Sequence, residues 1–260
     1  MKSKLAVLAV VALIAYALKR HYAGASTEAL SWMLAPTSQL AGVVTGVVFA
    51  AVPGEGYFSA ERMFLIEKAC AGVNFMIAAF AMVAFALVHR ARSLRGSAAV
   101  VGVSLLASYL AAVIVNTARI VIALWLAVHP VGWSSLSAAD IHRLEGIVVY
   151  FGGLLLLYIL VHRLDRTVTG FKYALPLGCY YLVTLGLPLA NGAWSEAFLE
   201  HAAIVLLVPP VLILLVCGAR RLLSCYPRRS VAAGSSAHAR RAGNHAAAAA
   251  TMSIAAAPST

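Results

Sequence analysis

Three residues with side chains suited to acyl-transfer chemistry stand at the edges of long apolar runs in this 260-residue chain. Cys70 carries a thiol, which as a thiolate attacks carbonyl carbon. The guanidinium of Arg119 can hydrogen-bond the oxyanion that such an attack creates, and the imidazole of His142 exchanges protons near neutral pH. The three are separated by 49 and 23 residues, so the fold has to bring them together. If it does, they are the parts of a thiol acyltransferase or protease.

Each of these residues also has a simpler explanation. Cys70 fits a small buried residue at the start of a helix. Arg119 fits a cation that snorkels to lipid headgroups or that pairs with Asp140 or Glu145. His142 fits an ordinary loop histidine at the membrane interface. The interpretation therefore depends on whether the membrane topology places all three at one surface.

The composition predicts an all-α, polytopic transmembrane bundle. Apolar residues make up 62% of the chain and charged residues only 11%, whereas soluble domains have about 45–50% and about 25%. Such a chain cannot cover itself with a polar surface, which excludes a soluble globular domain. The net charge of +11 lies at the ends of apolar runs, which favours a role in membrane orientation over nucleic-acid binding. Four cysteines are too few for a disulfide scaffold.

The apolar runs predict about six to eight membrane segments. The first run, Leu5–Leu18, resembles a signal peptide with a small-residue site at Ala23–Ala25, but Lys19 and Arg20 intervene, which favours an uncleaved anchor. Leu40–Val52 is of marginal length, which leaves open whether it crosses, re-enters or lies flat on the membrane, and Pro53–Lys68 is predicted to be a polar loop. The stronger spans are Ala71–Val88, Ala98–Val128, Gly146–Val161, Tyr173–Ala190 and Ala202–Cys217. From Gly218 the chain is predicted to be a disordered basic tail.

Positive charge orients these spans. It is concentrated in two loops and the tail: Arg90, Arg92 and Arg95; Arg163, Arg166 and Lys172; and six arginines after Gly218. Cytoplasmic loops carry the excess of Lys and Arg, so these segments are predicted to be cytoplasmic. The remaining loops then face outward, which places Cys70, Arg119 and His142 at the outer membrane surface. The apolar remainder Ile120–Val128 is expected to continue along the outer leaflet or dip back into it.

Four neighbouring residues are candidates for substrate binding or for orienting the reacting groups. Gly72 lacks bulk beside Cys70, so a substrate backbone can approach, and Asn74 follows in the same block. Asn116 is three residues before Arg119 and shares its helix face. Gly146 permits close helix packing.

Three blocks of this sequence resemble the exosortase/archaeosortase family of membrane transpeptidases, and the first looks most similar to the small K-type exosortases. The blocks are Ala69–Phe75, Asn116–Ile120 and His142–Gly146, and the resemblance covers roughly residues 5–165. It implies that Cys70 is the nucleophile, Arg119 the transition-state stabiliser and His142 the acid/base, with no metal or cofactor. One departure is Ala71, where many relatives have serine.

The resemblance also implies the substrates, the location and the domain organisation. Family substrates are exported proteins with a C-terminal sorting signal, made of a short motif, a membrane span and a basic end. The enzyme cleaves near the motif, forms a thioester on the cysteine and passes the product to an acceptor or to water. A multi-pass protein of the inner (cytoplasmic) membrane is expected, with the lipid bilayer as its other partner. Residues 1–165 form the catalytic core, 166–217 additional helices and 218–260 the tail.

Two other classes of protein remain open from the residues alone. A transporter or scaffold predicts a polar pathway at the bilayer midplane, whereas these polar residues gather at one surface. A metal-dependent intramembrane hydrolase needs His and carboxylate clusters; Asp140, His142 and Glu145 do not match a recognised zinc spacing. The other cysteines, at positions 179, 217 and 225, are interpreted as packing thiols.

Overall fold

Long α-helices account for most of the described chain. The computed structural model describes residues 2–129, 137–165, 173–192, 194–196 and 198–219. The helices are α1 (Lys2–Gly24), α2 (Ser31–Thr45), α3 (Val73–Leu87), α4 (Leu94–Val128), α5 (Ala138–Leu164), α6 (Ala174–Tyr181) and α7 (Leu187–Ala190), followed by α8 (Phe198–Ala219). A π-helical turn, Leu182–Gly186, joins α6 to α7.

The predicted membrane character is confirmed at the level of helix length and apolarity. Five helices of the described chain are long and apolar enough to cross a membrane: Ser3–Gly24, Lys68–Arg90, Leu94–Val128, Asp140–Leu164 and Phe198–Ala219. The continuous stretch Ala174–Ala190 is a shorter apolar helix. The described helices therefore have the length and apolarity expected of a helical membrane protein, and the predicted total of six to eight segments stays a prediction.

Helix α3 is the core of the bundle. It packs against α1, α4, α5 and α6, and residues on all its faces are buried, among them Phe80, Met82 and Val83. A helix that is apolar on every side is stable only inside a bundle or a membrane. The turn that contains Cys70 leads directly into this central helix.

Side-chain caps start α4 and α5 earlier than the apolar runs predict. The hydroxyl of Ser93 accepts the backbone N–H of Gly96 and begins α4, and Ser137 and Asp140 form a reciprocal capping box that begins α5. His142 consequently lies in the second turn of α5 and not in a loop before it. Hydrophobicity marks where a helix meets lipid, whereas the caps mark where its backbone begins.

Helix α4 continues without a break to Val128. Of the two courses expected for Ile120–Val128, a dip back into the outer leaflet is therefore wrong, because a reversal would have to interrupt the helix, whereas a course along that leaflet stays a prediction. No proline or glycine occurs in that segment, and its residues continue the helical hydrogen bonding up to His129 N–H, which donates to the carbonyl of Trp125.

A small antiparallel sheet replaces the polar loop predicted at Pro53–Lys68. Strands β1 (Ala50–Val52), β2 (Gly56–Ser59) and β3 (Phe64–Ile66) lie in the order β1-β2-β3, with Ala51 opposite Tyr57 and Phe58 opposite Leu65. The apolar run Leu40–Val52 is likewise divided, since α2 ends at Thr45 and Gly46 adopts a left-handed φ of 73°. Strands of three or four residues are too short to give a reliable alternating pattern.

Some sequence predictions fall on residues outside the described ranges. These include Arg166 and Lys172 of the predicted cytoplasmic loop, Cys225, and the predicted tail after its first two residues. Gly218 and Ala219 are the last residues of α8. By its internal contacts the chain divides at Pro210, and the site described below lies entirely before that point.

The contact of α5 with α4 at Gly153 gives a test of the packing. A Cβ at this position would lie 2.6 Å from a γ-methyl of Val115, a β-branched side chain with little rotamer freedom. Gly153→Ala is expected to lower the free energy of unfolding by about 1–3 kcal/mol relative to Gly152→Ala, measured by thermal or denaturant unfolding in detergent micelles. Gly152 is the matched control, because its added methyl meets nothing within 4 Å and brings the same gain in helix propensity. Equal stability of the two variants would contradict this packing.

Candidate active site

The turn that carries Cys70 is tied to the end of α1. Cys70 ends a short 3-10 turn that follows β3 and precedes α3. The ammonium of Lys68 donates to the carbonyls of Ala25 at 2.8 Å and Ala23 at 3.2 Å. Since α3 begins at Val73, the half-buried Cys70 comes three residues before a helix N-terminus.

Asn116 of α4 holds the same turn from the other side. Its amide Nδ2 donates a short hydrogen bond to the carbonyl of Cys70, and its side chain is fully buried. Gly72 is required at this contact for two reasons: its φ is +69°, and a Cβ there would lie 3.1 Å from Asn116 Cγ. Asn116 was expected to orient Arg119 or a substrate carbonyl; in the structure its amide instead fixes the backbone of the candidate nucleophile.

Tyr150 of α5 connects Asn116 to Arg119. Its hydroxyl donates to Asn116 Oδ1 at 2.9 Å and accepts from Arg119 Nη1 at 3.1 Å, while its ring stacks on Phe75 of α3 at a centroid distance of 5.7 Å. Tyr150 was not among the residues predicted for the site. The sequence did carry a signal, because 142, 146 and 150 are spaced four apart and share one face of a helix.

Arg119 lies at the centre of the cluster. Its Nη2 is 3.0 Å from His142 Nε2, and its Nε is 3.6 Å from Glu145 Oε2. Gly146 makes room for it, since a Cβ at that position would lie 3.3 Å from Arg119 Nε. The pairing of Arg119 with Glu145, which the sequence left open as an alternative to a catalytic role, is therefore present together with the contact to His142.

The contact with Arg119 fixes the tautomer of a neutral His142. A guanidinium can only donate, so Nε2 of His142 accepts, and the ring proton is on Nδ1. That Nδ1 is 3.6 Å from Glu145 Oε2. The side chain of His142 is 53% exposed and that of Glu145 only 5%, so the imidazole lies at the mouth of the site with the carboxylate behind it.

The structure brings six of the seven predicted site residues into one connected group. Cys70, Gly72, Asn116, Arg119, His142 and Gly146 are joined through the hydrogen bonds and close contacts just described. Cys70 also lies close enough to Arg119 and Glu145 to interact electrostatically with both. The exception is Asn74, whose side-chain oxygen accepts from the ammonium of Lys19 at 2.8 Å and so belongs to the contact between α1 and α3.

The donor set of this group suits proton transfer and oxyanion binding. Within the described ranges, no group of three or more His, Cys, Asp or Glu side chains is arranged to hold a metal ion.

Comparisons of the chain with protein-family models, with curated proteins and with solved structures give no match.

Removing the hydroxyl of Tyr150 tests the hydrogen-bonded connection. Tyr150→Phe keeps the ring that stacks on Phe75 but leaves Asn116 Oδ1 and Arg119 Nη1 without this partner. The variant is expected to lose about 1–3 kcal/mol of unfolding free energy, measured in detergent micelles. Tyr158→Phe is the control, because it removes a hydroxyl from a buried tyrosine of the same helix two turns away, where the ring stacks on His162. If both variants lose the same amount, Tyr150 does not connect the site in the way described.

Proposed function

We propose that this protein is a membrane-embedded cysteine transpeptidase or protease that cleaves the C-terminal sorting signals of exported proteins through a thioester on Cys70. The observation that carries the proposal is the joining of three distant segments. Asn116 of α4 binds the carbonyl of Cys70, and Arg119 of the same helix lies 3.0 Å from His142 of α5. These contacts place the backbone of Cys70 and the side chains of Arg119 and His142 in one polar cluster.

In the proposed reaction the thiolate of Cys70 attacks the carbonyl carbon of the scissile peptide bond. The Nη2–H of Arg119 turns from Nε2 of His142 to the carbonyl oxygen, which becomes an oxyanion, and the proton of the thiol passes to the freed Nε2. The C–N bond then breaks, His142 returns the proton to the leaving amine, and the acyl group remains on sulfur as a thioester. An acceptor nucleophile or water attacks the thioester, which releases the product and restores the thiol.

Arg119 has donors to spare for the oxyanion. A guanidinium carries five N–H groups. One on Nη1 is engaged by Tyr150 and one on Nη2 by His142, while the Nε–H is nearest Glu145. One N–H on each terminal nitrogen remains, and a charge-assisted hydrogen bond from either would stabilise an oxyanion formed beside Cys70.

The substrate class and the location rest on the family resemblance together with the charge pattern. We infer a protein of the inner (cytoplasmic) membrane with the site at its outer face and the C-terminus in the cytoplasm, because the loops richest in arginine are cytoplasmic by the positive-inside rule. In this arrangement the sorting signal of an exported protein arrives from the outer side. Its membrane span docks in the bilayer beside the bundle, with the basic end toward the cytoplasm.

Replacing the nucleophile tests the proposal directly. Cys70→Ala is expected to abolish processing of a co-expressed substrate with a C-terminal sorting signal, and Cys70→Ser to be nearly as damaging, because a serine hydroxyl is hardly ionised without a strong base. Gel mobility and mass spectrometry of the substrate measure the loss. Cys179→Ala is the control within the described chain and should process normally. Full processing by Cys70→Ala would end the thiol mechanism.

Arg119→Lys separates charge from geometry. Lysine keeps the positive charge, but an ammonium cannot copy the planar fork that contacts Tyr150, His142 and the oxyanion together. Turnover is expected to fall about 100- to 1000-fold, the scale for loss of one oxyanion donor, as measured by single-turnover thioester formation. Near-normal turnover would show that Arg119 serves only as a pairing charge.

A further inference from the structure

Glu145 is a buried carboxylate that has no hydrogen bond. Its side chain is 5% exposed, and neither carboxylate oxygen has a hydrogen-bond partner in the described structure. Its ion-pair neighbours are Arg119 Nε and His142 Nδ1, each 3.6 Å from Oε2. Burying a carboxylate without hydrogen bonds is costly, so this arrangement is expected to have a use beyond packing.

The titratable and charged groups around Glu145 come from three elements. Arg119 is on α4, His142 and Tyr150 are on α5, and Cys70 precedes α3; Glu145 interacts electrostatically with Arg119, with Cys70 and with Tyr150. Arg119 already donates to His142 and Tyr150, and its Nε remains without a hydrogen bond. The N–H that His142 points toward Glu145 is therefore the other donor within reach of the carboxylate.

We propose that Glu145 is a positioning residue whose carboxylate accepts a hydrogen bond from the Nδ1–H of His142 during the reaction. This rests on the function proposed above. Glu145 keeps the tautomer in which Nε2 is the base, and it stabilises the imidazolium that forms when the proton of Cys70 reaches Nε2. The proton then leaves with the amine, so the proton balance of the step requires none to be transferred to Glu145. The two atoms are 3.6 Å apart in the structure, and the proposal requires this distance to shorten to a hydrogen bond during the reaction.

Alkylation of Cys70 tests this role without any substrate. In a background where the other three cysteines are replaced by alanine, the rate with a small maleimide is measured from pH 5 to 9 for wild type, Glu145→Gln, Glu145→Asp and the control Glu61→Gln. A carboxylate that stabilises imidazolium also stabilises the thiolate paired with it. Glu145→Gln is therefore expected to slow alkylation at pH 7 about tenfold, equivalent to a shift of about one pH unit, while Glu145→Asp recovers part of the rate.

Faster alkylation of Cys70 in Glu145→Gln would point to a different role for the carboxylate. If Glu145 acts only as a buried negative charge near Cys70, its removal favours the thiolate, and Glu145→Gln reacts faster than wild type. A faster or unchanged rate of alkylation in Glu145→Gln therefore overturns the proposal. The proposal is also overturned if His142→Gln has the same pH profile of alkylation as wild type. The double variant completes the test: Glu145→Gln should have no added effect on the alkylation of Cys70 when His142 is already glutamine, because it acts through His142.

Turnover then separates this proposal from the proposed function. If wild type processes a tailed substrate, Glu145→Gln should lower kcat by about 100-fold or more while KM changes less than about threefold, and the loss should again vanish in the His142→Gln background. If wild type processes none but the alkylation rates behave as expected, the substrate assignment fails and the role of Glu145 stands. Thermal unfolding of each variant in detergent shows whether it folds, and Glu145→Asp and Glu145→Gln provide two independent replacements.

Discussion

The structure of the site depends on the need to satisfy one guanidinium that is almost buried in an apolar bundle. The side chain of Arg119 is 13% exposed, and a charge removed from water is stable only when its donors and its charge are matched. Tyr150, His142 and Glu145 supply a hydroxyl, a ring nitrogen and a carboxylate for this purpose. Each of these is on α5, so the same contacts that satisfy Arg119 fix α5 against α4.

The candidate nucleophile is positioned through its backbone. Asn116 binds the carbonyl of Cys70, and Lys68 anchors the same turn to the end of α1. Neither contact involves the thiol of Cys70. Two glycines allow this closeness, since Gly72 accommodates Asn116 and Gly146 accommodates Arg119. In each case the missing side chain provides the space into which a polar group from a neighbouring helix fits.

Sequence reasoning found the polar residues that are conspicuous against an apolar background and missed those that are not. Asn116, Arg119 and His142 stand out because a polar group beside an apolar run needs an explanation. Tyr150 does not, since a tyrosine in an apolar run is ordinary, and its role depends on which helix faces it. Asn74 looked equivalent to Gly72 within one block, but helix geometry turns it toward Lys19.

The predicted helices were right in kind and wrong at their ends for a related reason. Apolar runs reported the lipid-facing or core-facing part of each helix, while Ser93 and the Ser137–Asp140 box decided where α4 and α5 begin. The strands around Tyr57 were beyond prediction because their pairing depends on a turn and on contacts distant in sequence. Gly56 is an example: its φ of +135° and the close approach of the Ile66 carbonyl require a glycine, and both arise only when β2 pairs with β3.

Because α4 is long, the surroundings of the site are expected to depend on the thickness of the membrane. Its 35 residues extend about 52 Å, and Arg119 lies about 38 Å along the axis from Leu94, whereas the hydrocarbon core is about 30 Å thick. Hydrophobic mismatch of this kind costs only fractions of a kcal/mol per Å and is relieved by tilting or by local deformation of the lipid. Longer acyl chains would draw hydrocarbon up around His142, and shorter ones would leave it in water. We therefore expect the thickness of the surrounding bilayer to affect how much water reaches the site.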